Sequence, residues 1–217
     1  MKWIARRRRF GNKTIGYLLP MPNKMDEDKR QVETKALVKA TRELFLQEGV
    51  EGLSVRKVAS LAGCSTMSIY SRFGGKDALL SLMFNEGFDT LARHQQAVPD
   101  DLNAREKVVE TCKAFRRFGH DFPHYYALIF GANASAYKPT EENFNHAYAT
   151  FRHLARIAAL IRRPTGGGAK EDKELANQLF ALCHGWVMLE QMDMLVEKKP
   201  DKAFENAIRS LCDGAAR

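Results

Sequence analysis

The chain has 217 residues, with 34 Lys and Arg against 26 Asp and Glu, a net charge of +8 and an isoelectric point near 9.4. Seven of the basic groups (Lys2, Arg6, Arg7, Arg8, Arg9, Lys13 and Lys24) fall in residues 1–24 without an acid, so the remainder is close to neutral and bulk charge does not argue for a nucleic-acid partner. The dispersed cysteines Cys64, Cys112, Cys183 and Cys212 exclude a disulfide framework, and no apolar run approaches the ~20 residues of a membrane span; a soluble, cytoplasmic chain with a sizeable core is expected.

In chain order, residues 1–28 lack helical periodicity, carry four consecutive arginines and two prolines, and end in Asp26-Glu27-Asp28. They are expected to form a basic, flexible N-terminal arm. Two readings of the arm stand side by side: Arg6 to Arg9 track phosphates or enter a minor groove, or residues 1–24 are a tail ahead of a start at Met25. A first helix over Lys29–Glu48 gathers Ala36, Leu37, Ala40, Leu44 and Phe45 on one face and stops at Gly49.

The stretch Ser54–Lys76 carries the most information. Val55, Val58, Ala59 and Ala62 recur at helical spacing after a capping Ser54, and Gly63 ends that helix. Ser65 then caps a second helix over Thr66–Phe73, with Ile69 and Phe73 facing inward and a stop at Gly74-Gly75. The segment holds Arg56, Lys57, Arg72 and Lys76 and no acid, which suits a helix offered to a line of phosphates. Ser65, Thr66 and Ser68 are short enough to reach base edges, and Met67 can contact a thymine methyl group. Tyr70 and Lys76 suit phosphate oxygens by type. An ordinary helical hairpin with its basic residues in water is the alternative.

Gly49 and Gly52, Val58-Ala59, Ala62-Gly63, Ser65, Ile69-Tyr70, Phe73, and Lys76 with Leu79 make the region from about Arg30 to Met83 resemble the DNA-binding head of the tetracycline-repressor (TetR) family of bacterial transcriptional regulators. The resemblance implies that Thr66 to Ser68 face bases, that Tyr70 and Lys76 hold phosphates, and that Ser54 and Arg56 touch the DNA backbone. Many members carry a small residue where Met67 stands and an aromatic where Ser71 stands, so the base readout differs in detail.

A helix over Lys76–Gln96 has Leu79, Leu80, Met83, Phe84, Phe88 and Leu91 at helical spacing and connects head to body. Helices are then expected near 103–121, 123–132, 141–163, 172–197 and 201–213, punctuated by prolines and glycines. The expected fold is all-α with about nine helices: a helix-turn-helix head over 29–76 and a larger ligand-binding and dimerisation body over 77–217.

The body is dense in aromatics. Phe115, Phe118, Tyr125, Tyr126, Phe130 and Tyr148, with His184 and Met188, are candidates to line a pocket for an apolar or amphipathic ligand; plain core packing is the alternative for each. The His184-Gly185 pair resembles a C-terminal domain of many TetR-type regulators that is marked by such a pair. Leu179, Leu182, Trp186, Leu189, Phe204 and Ile208 form stripes on the last two helices that could meet a second copy across a two-fold axis, or else fill the chain's own core.

Catalysis finds no support. Cys183 and His184 point about 100° apart on a helix, Pro123 lies between His120 and His124, and no nucleophile-elbow, zinc-protease or phosphate-loop motif occurs. No metal or cofactor is expected. Two functions remain: a homodimeric repressor released from a pseudo-palindromic operator by a small molecule, or a structural DNA-coating protein without an effector.

Overall fold

The computed structural model describes the backbone of residues 3–10, 13–20, 24–131, 137–162 and 169–216, and side chains from Met25 onward apart from Asp26, Arg162, Ala169, Glu171 and Asp172. The expected basic stretch Arg6–Arg9 therefore has its side chains outside the described residues. Its backbone runs in β1 (Trp3–Phe10), paired antiparallel with β2 (Lys13–Pro20) so that Trp3 lies opposite Pro20 and Phe10 opposite Lys13. The two intervening residues, Gly11 and Asn12, are of the kind that join hairpin strands.

After the hairpin the regular structure among the described residues is all helical, in nine helices. Helix α1 (Lys24–Gly52) begins earlier than periodicity predicts, because its first turns bury no apolar face; Val32 is exposed, while Glu27 and Asp28 suit the positive end of the helix dipole. Farther along, Leu37, Ala40, Leu44 and Phe45 are buried, and the Thr41 hydroxyl satisfies itself on the Leu37 carbonyl at 2.8 Å. Gly49 breaks the helix at φ 68, and a Cβ there would lie 2.8 Å from Nδ1 of His124, so only glycine fits this junction of head and body.

Helices α2 (Val55–Leu61) and α3 (Thr66–Phe73) follow, with Val58, Ala59 and Ile69 closing the head's core against α1. Both caps predicted from sequence form. Ser54 accepts from the Lys57 N–H and Ser65 from the Ser68 N–H, each at 3.2 Å, and Gly63 at φ 65 makes the turn. Helix α4 (Lys76–Gln96) then leaves the head; at 1.5 Å per residue it is about 30 Å long.

In the body, α5 (Ala104–Asp121) packs against α4, α6 (Pro123–Ile129), α7 (Glu141–Arg162), α8 (Ala169–Gln191) and α9 (Pro200–Ala215). Its face of Val108, Val109, Cys112, Phe115 and Phe118 is buried throughout. Helix α8 ends at Gln191 instead of running on to 197. Asp193 adopts φ 53, and the Met194 N–H turns back to the Leu189 carbonyl at 2.9 Å, so the chain after α8 takes up the otherwise free carbonyls of its last turn and does not continue the helix.

Candidate DNA interface and ligand cavity

The exposed face of α3 is what remains once Ile69 is buried at helical spacing: Thr66, Met67 and Tyr70 face outward, with Met67 72% exposed. Ser65 is spent as a cap, and its hydroxyl also lies 3.1 Å from that of Ser68, so these two offer less to bases than Thr66 and Met67 do. Tyr70 lays its ring against Gly75, where a Cβ would meet its Cε1 at 3.2 Å. Ser54 likewise serves as a cap, with Arg56 exposed beside it.

The acid-free count hides two partnerships that only the fold brings together. Lys57 pairs with Glu48, and Arg72 pairs with Glu33, both acids coming from α1. Arg72 also donates to the Arg30 carbonyl at 2.9 Å and to Thr34 Oγ1 at 3.2 Å. Its guanidinium therefore faces α1, contrary to the expected DNA contact, because the inner side of a short helix is close enough to meet the helix it packs on. Arg56 and Lys76 have no carboxylate partner among the described residues; Lys76 Nζ donates to the Val50 carbonyl at 3.2 Å and keeps two hydrogens for an outside acceptor.

At the far end of α4 lies an apolar cavity of about 260 Å³. Phe88, Leu91 and Gln95 of α4 form one wall; Phe115 of α5, Phe130 just past α6, Phe180 of α8, and Phe144, Ala147, Tyr148, Thr150, Phe151 and Leu154 of α7 form the rest. Beside it, sharing Phe88, Gln95 and Thr150, is a polar recess of about 200 Å³ with Asp89, His146, His153 and Arg156 on its walls.

Of the sequence candidates, Phe115, Phe130 and Tyr148 line the cavity. Tyr126 and His184 stand behind it, the Tyr126 hydroxyl 2.7 Å from His184 Nδ1, with their rings against Phe130 and Phe180. Burial pushes the Tyr126 hydroxyl well above its usual range and the His184 imidazole below its own, so both stay neutral. Phe118 is stacked on Phe122 in the core, Tyr125 sits against Phe45 in the seam between α1 and α6, and Met188 packs on the core from a half-buried position. These three belong to packing and not to the cavity wall. Sequence reasoning missed Phe88 as lining, and missed Gln95 entirely. Its signal was available: Phe84, Phe88, Leu91 and Gln95 form one continuous stripe on α4, with a polar residue where an apolar one belongs.

The expected dimer stripe is also divided by the fold. Leu179, Phe204 and Ile208 are completely buried within one chain, so they are its own core; Leu182 and Trp186 are half-buried, and Leu189 is exposed. Among the described residues no cluster of three His, Cys, Asp or Glu side chains is set to hold a metal, and no helix is long and apolar enough to cross a membrane.

A short capped helix standing out from a three-helix head, joined by one long helix to an all-helical body with an apolar cavity, is the architecture of a helix-turn-helix transcriptional regulator. Comparison with known proteins agrees. Residues 37–83 match the profile of "Bacterial regulatory proteins, tetR family" and residues 108–211 that of "Tetracyclin repressor-like, C-terminal domain". The chain is 31% identical over 197 residues to the HTH-type transcriptional regulator PksA of Bacillus subtilis (strain 168), covering 88% of this chain and 94% of that one. It is 27% identical over 117 residues to the HTH-type transcriptional regulator Rv1816 of Mycobacterium tuberculosis, where the match spans 52% of this chain and only 50% of the relative's length. A solved structure of a protein of unknown function from Rhodococcus sp. RHA1 shares the fold with a TM-score of 0.70 at 24% identity, over 86% of this chain and 96% of that one. The chain belongs to the tetR family of bacterial regulatory proteins.

Proposed function

We propose that this regulator is a homodimeric repressor that holds a pseudo-palindromic operator through two copies of α3 and is released by a small, largely apolar molecule bound in the body. Acting on chromosomal DNA, it works in the cytoplasm. The observation that carries this reading is the double use of α4: it starts at the stop of the recognition helix, at Lys76, and its last turns supply Phe88, Leu91 and Gln95 to the cavity wall. A ligand that fits the cavity better in one position of α4 than in another shifts the head by its difference in affinity for the two.

Thr66 and Met67 are the base-reading residues in this proposal, and Tyr70, Lys76 and Arg56 the phosphate-holding ones. Leu182, Trp186 and Leu189 are the part of the α8 stripe left with surface for a second copy. The role needs no catalytic group. Competition binding tests it: duplex from the protein's own upstream DNA displaces a labelled operator at least ~10³-fold better than random duplex of equal length. Equal competition by the two would replace this reading with that of a DNA-coating protein.

A further inference from the structure

We propose that the effector is an amphipathic anion: its apolar body fills the cavity, and its carboxylate or phosphate head emerges past Tyr148 to meet Arg152, with Arg156 and Lys173 beyond. The inference rests on reading the cavity as the effector site and adds to it the charge of the ligand and the place where that charge sits. Inside the cavity an ionised head has no partner, because every residue lining it is uncharged and its surface is almost wholly apolar. A charged head therefore has to lie outside. The cavity reaches the surface along α7, where Phe144 is 59% and Tyr148 48% exposed.

What lies at that mouth is basic. Tyr148 and Phe151 are shared with an open groove of about 680 Å³ along α7 and the start of α8, whose described lining holds Arg152, Arg156 and Lys173 and no acid. The Arg152 guanidinium sits over the Tyr148 ring, 5.8 Å from its centroid, and Tyr148 in turn stacks on Phe151. Arg156 follows one turn later on the same face, about 6 Å farther along the helix, and the small side chains of Ala155 and Ala159 leave room for a head group to approach. Cations elsewhere in the body are neutralised: all five lysines and arginines of α5 have a carboxylate within 4.0 Å. Arg152, Arg156 and Lys173 have no such partner among the described residues. Asp89, in the neighbouring recess, is held by His146 at 2.8 Å, and Asp100, whose charge acts on His153 there, is held by Lys107. Three unneutralised cations at the open end of an apolar cavity complement an amphipathic anion and repel an amphipathic cation.

Octanoate, octan-1-ol and octylammonium, alike in chain and different in head charge, test this with the full chain by calorimetry at pH 7.5. Wild type is expected to bind octanoate about tenfold more tightly than the alcohol, by a margin that shrinks as salt is raised, and the ammonium most weakly. Arg152→Gln removes most of that preference and leaves the affinity for the alcohol unchanged, while Arg152→Lys, which keeps the charge, restores part of it. Ala147→Leu intrudes on the cavity and not on the groove, so it weakens all three. Equal affinity of wild type for acid and alcohol, or an undiminished preference in Arg152→Gln, overturns the anionic head while leaving the cavity as an effector site. Octanoate binding that Ala147→Leu does not touch places the anion in the groove alone and overturns the proposal as well. Failure of wild type to bind any probe, with bound operator unaffected by millimolar amounts of each, removes the effector site and this inference together.

Discussion

The guanidinium of Arg72 closes on the carboxylate of Glu33, tying the recognition helix α3 to the first turns of the head's longest helix. Its further bonds to the Arg30 carbonyl and Thr34 make it a fastening within the head, whereas Lys76 spends one hydrogen on the Val50 carbonyl. The two cations therefore separate experimentally. Arg72→Ala should cost about 1–2 kcal/mol of stability, in the range of charge-assisted hydrogen bonds, and leave the slope of log affinity against log salt unchanged. Lys76→Ala should lower that slope by about one and leave the melting temperature nearly unchanged. A reduced slope for Arg72→Ala would return that residue to the DNA.

Thr66 and Met67 stand on the outward side of α3 with no buried surface to lose. Thr66→Ala and Met67→Ala should accordingly alter stability by less than about 0.5 kcal/mol. Selection from randomised operators should show a changed preference at one position in each half-site, at about 1–3 kcal/mol per base. Profiles that match wild type would place the base-reading surface elsewhere.

What was legible in advance follows the reach of the signals. Ser54 and Ser65 act on N–H groups three residues away, and Gly63 acts at its own φ, so the turn and both short helices could be read directly. The absence of acids near Arg72 was equally visible, but its partner Glu33 lies 39 residues earlier and meets it only in the folded head. Phe204 and Leu179 show the same limit: an apolar stripe states that a face is buried and not against what, so core and dimer surface look alike until packing is known. Gln95 was overlooked because periodicity searches count apolar residues, and the informative residue was the polar one interrupting the stripe. The hairpin at Trp3–Pro20 was missed because four arginines obscured any alternation, although Gly11-Asn12 stood between the strands.

Gly49 joins the head to the body at a backbone angle that other residues rarely adopt, with His124 of α6 directly over it. Gly49→Ala forces both a strained φ and a displaced imidazole. It should destabilise the fold by about 1–3 kcal/mol, the usual range for an enforced outlier conformation. Urea unfolding would measure this, and Gly63→Ala, where no atom lies within 4 Å of the added Cβ, isolates the backbone component from the clash. Equal losses at the two positions would mean that His124 yields at no cost.

Behind the cavity, the Tyr126 hydroxyl keeps its proton because burial raises its pKa, and His184 stays neutral because burial lowers its own. The hydroxyl lies 2.7 Å from Nδ1, and a phenol oxygen both donates and accepts, so this bond can form with either partner carrying the proton; it is burial of the ring that opposes protonation. The unfolded chain titrates at the ordinary value of about 6.5 and binds the proton more readily than the folded one, so stability rises with pH across this window. The contribution is complete above about 6.5 and is lost as pH falls through the lowered folded value. Wild type should therefore be less stable at pH 5 than at pH 7.5. His153 is shifted in the same direction, first by burial and then by Arg156, so it shares the effect. His184→Asn places an acceptor oxygen where Nδ1 stands and cannot titrate, so it should lose measurably less stability over the same interval. An identical loss in the two proteins would assign the whole pH dependence to His153 and the other groups. Tyr126→Phe should cost about 1 kcal/mol at pH 7.5, the usual net worth of one hydrogen bond.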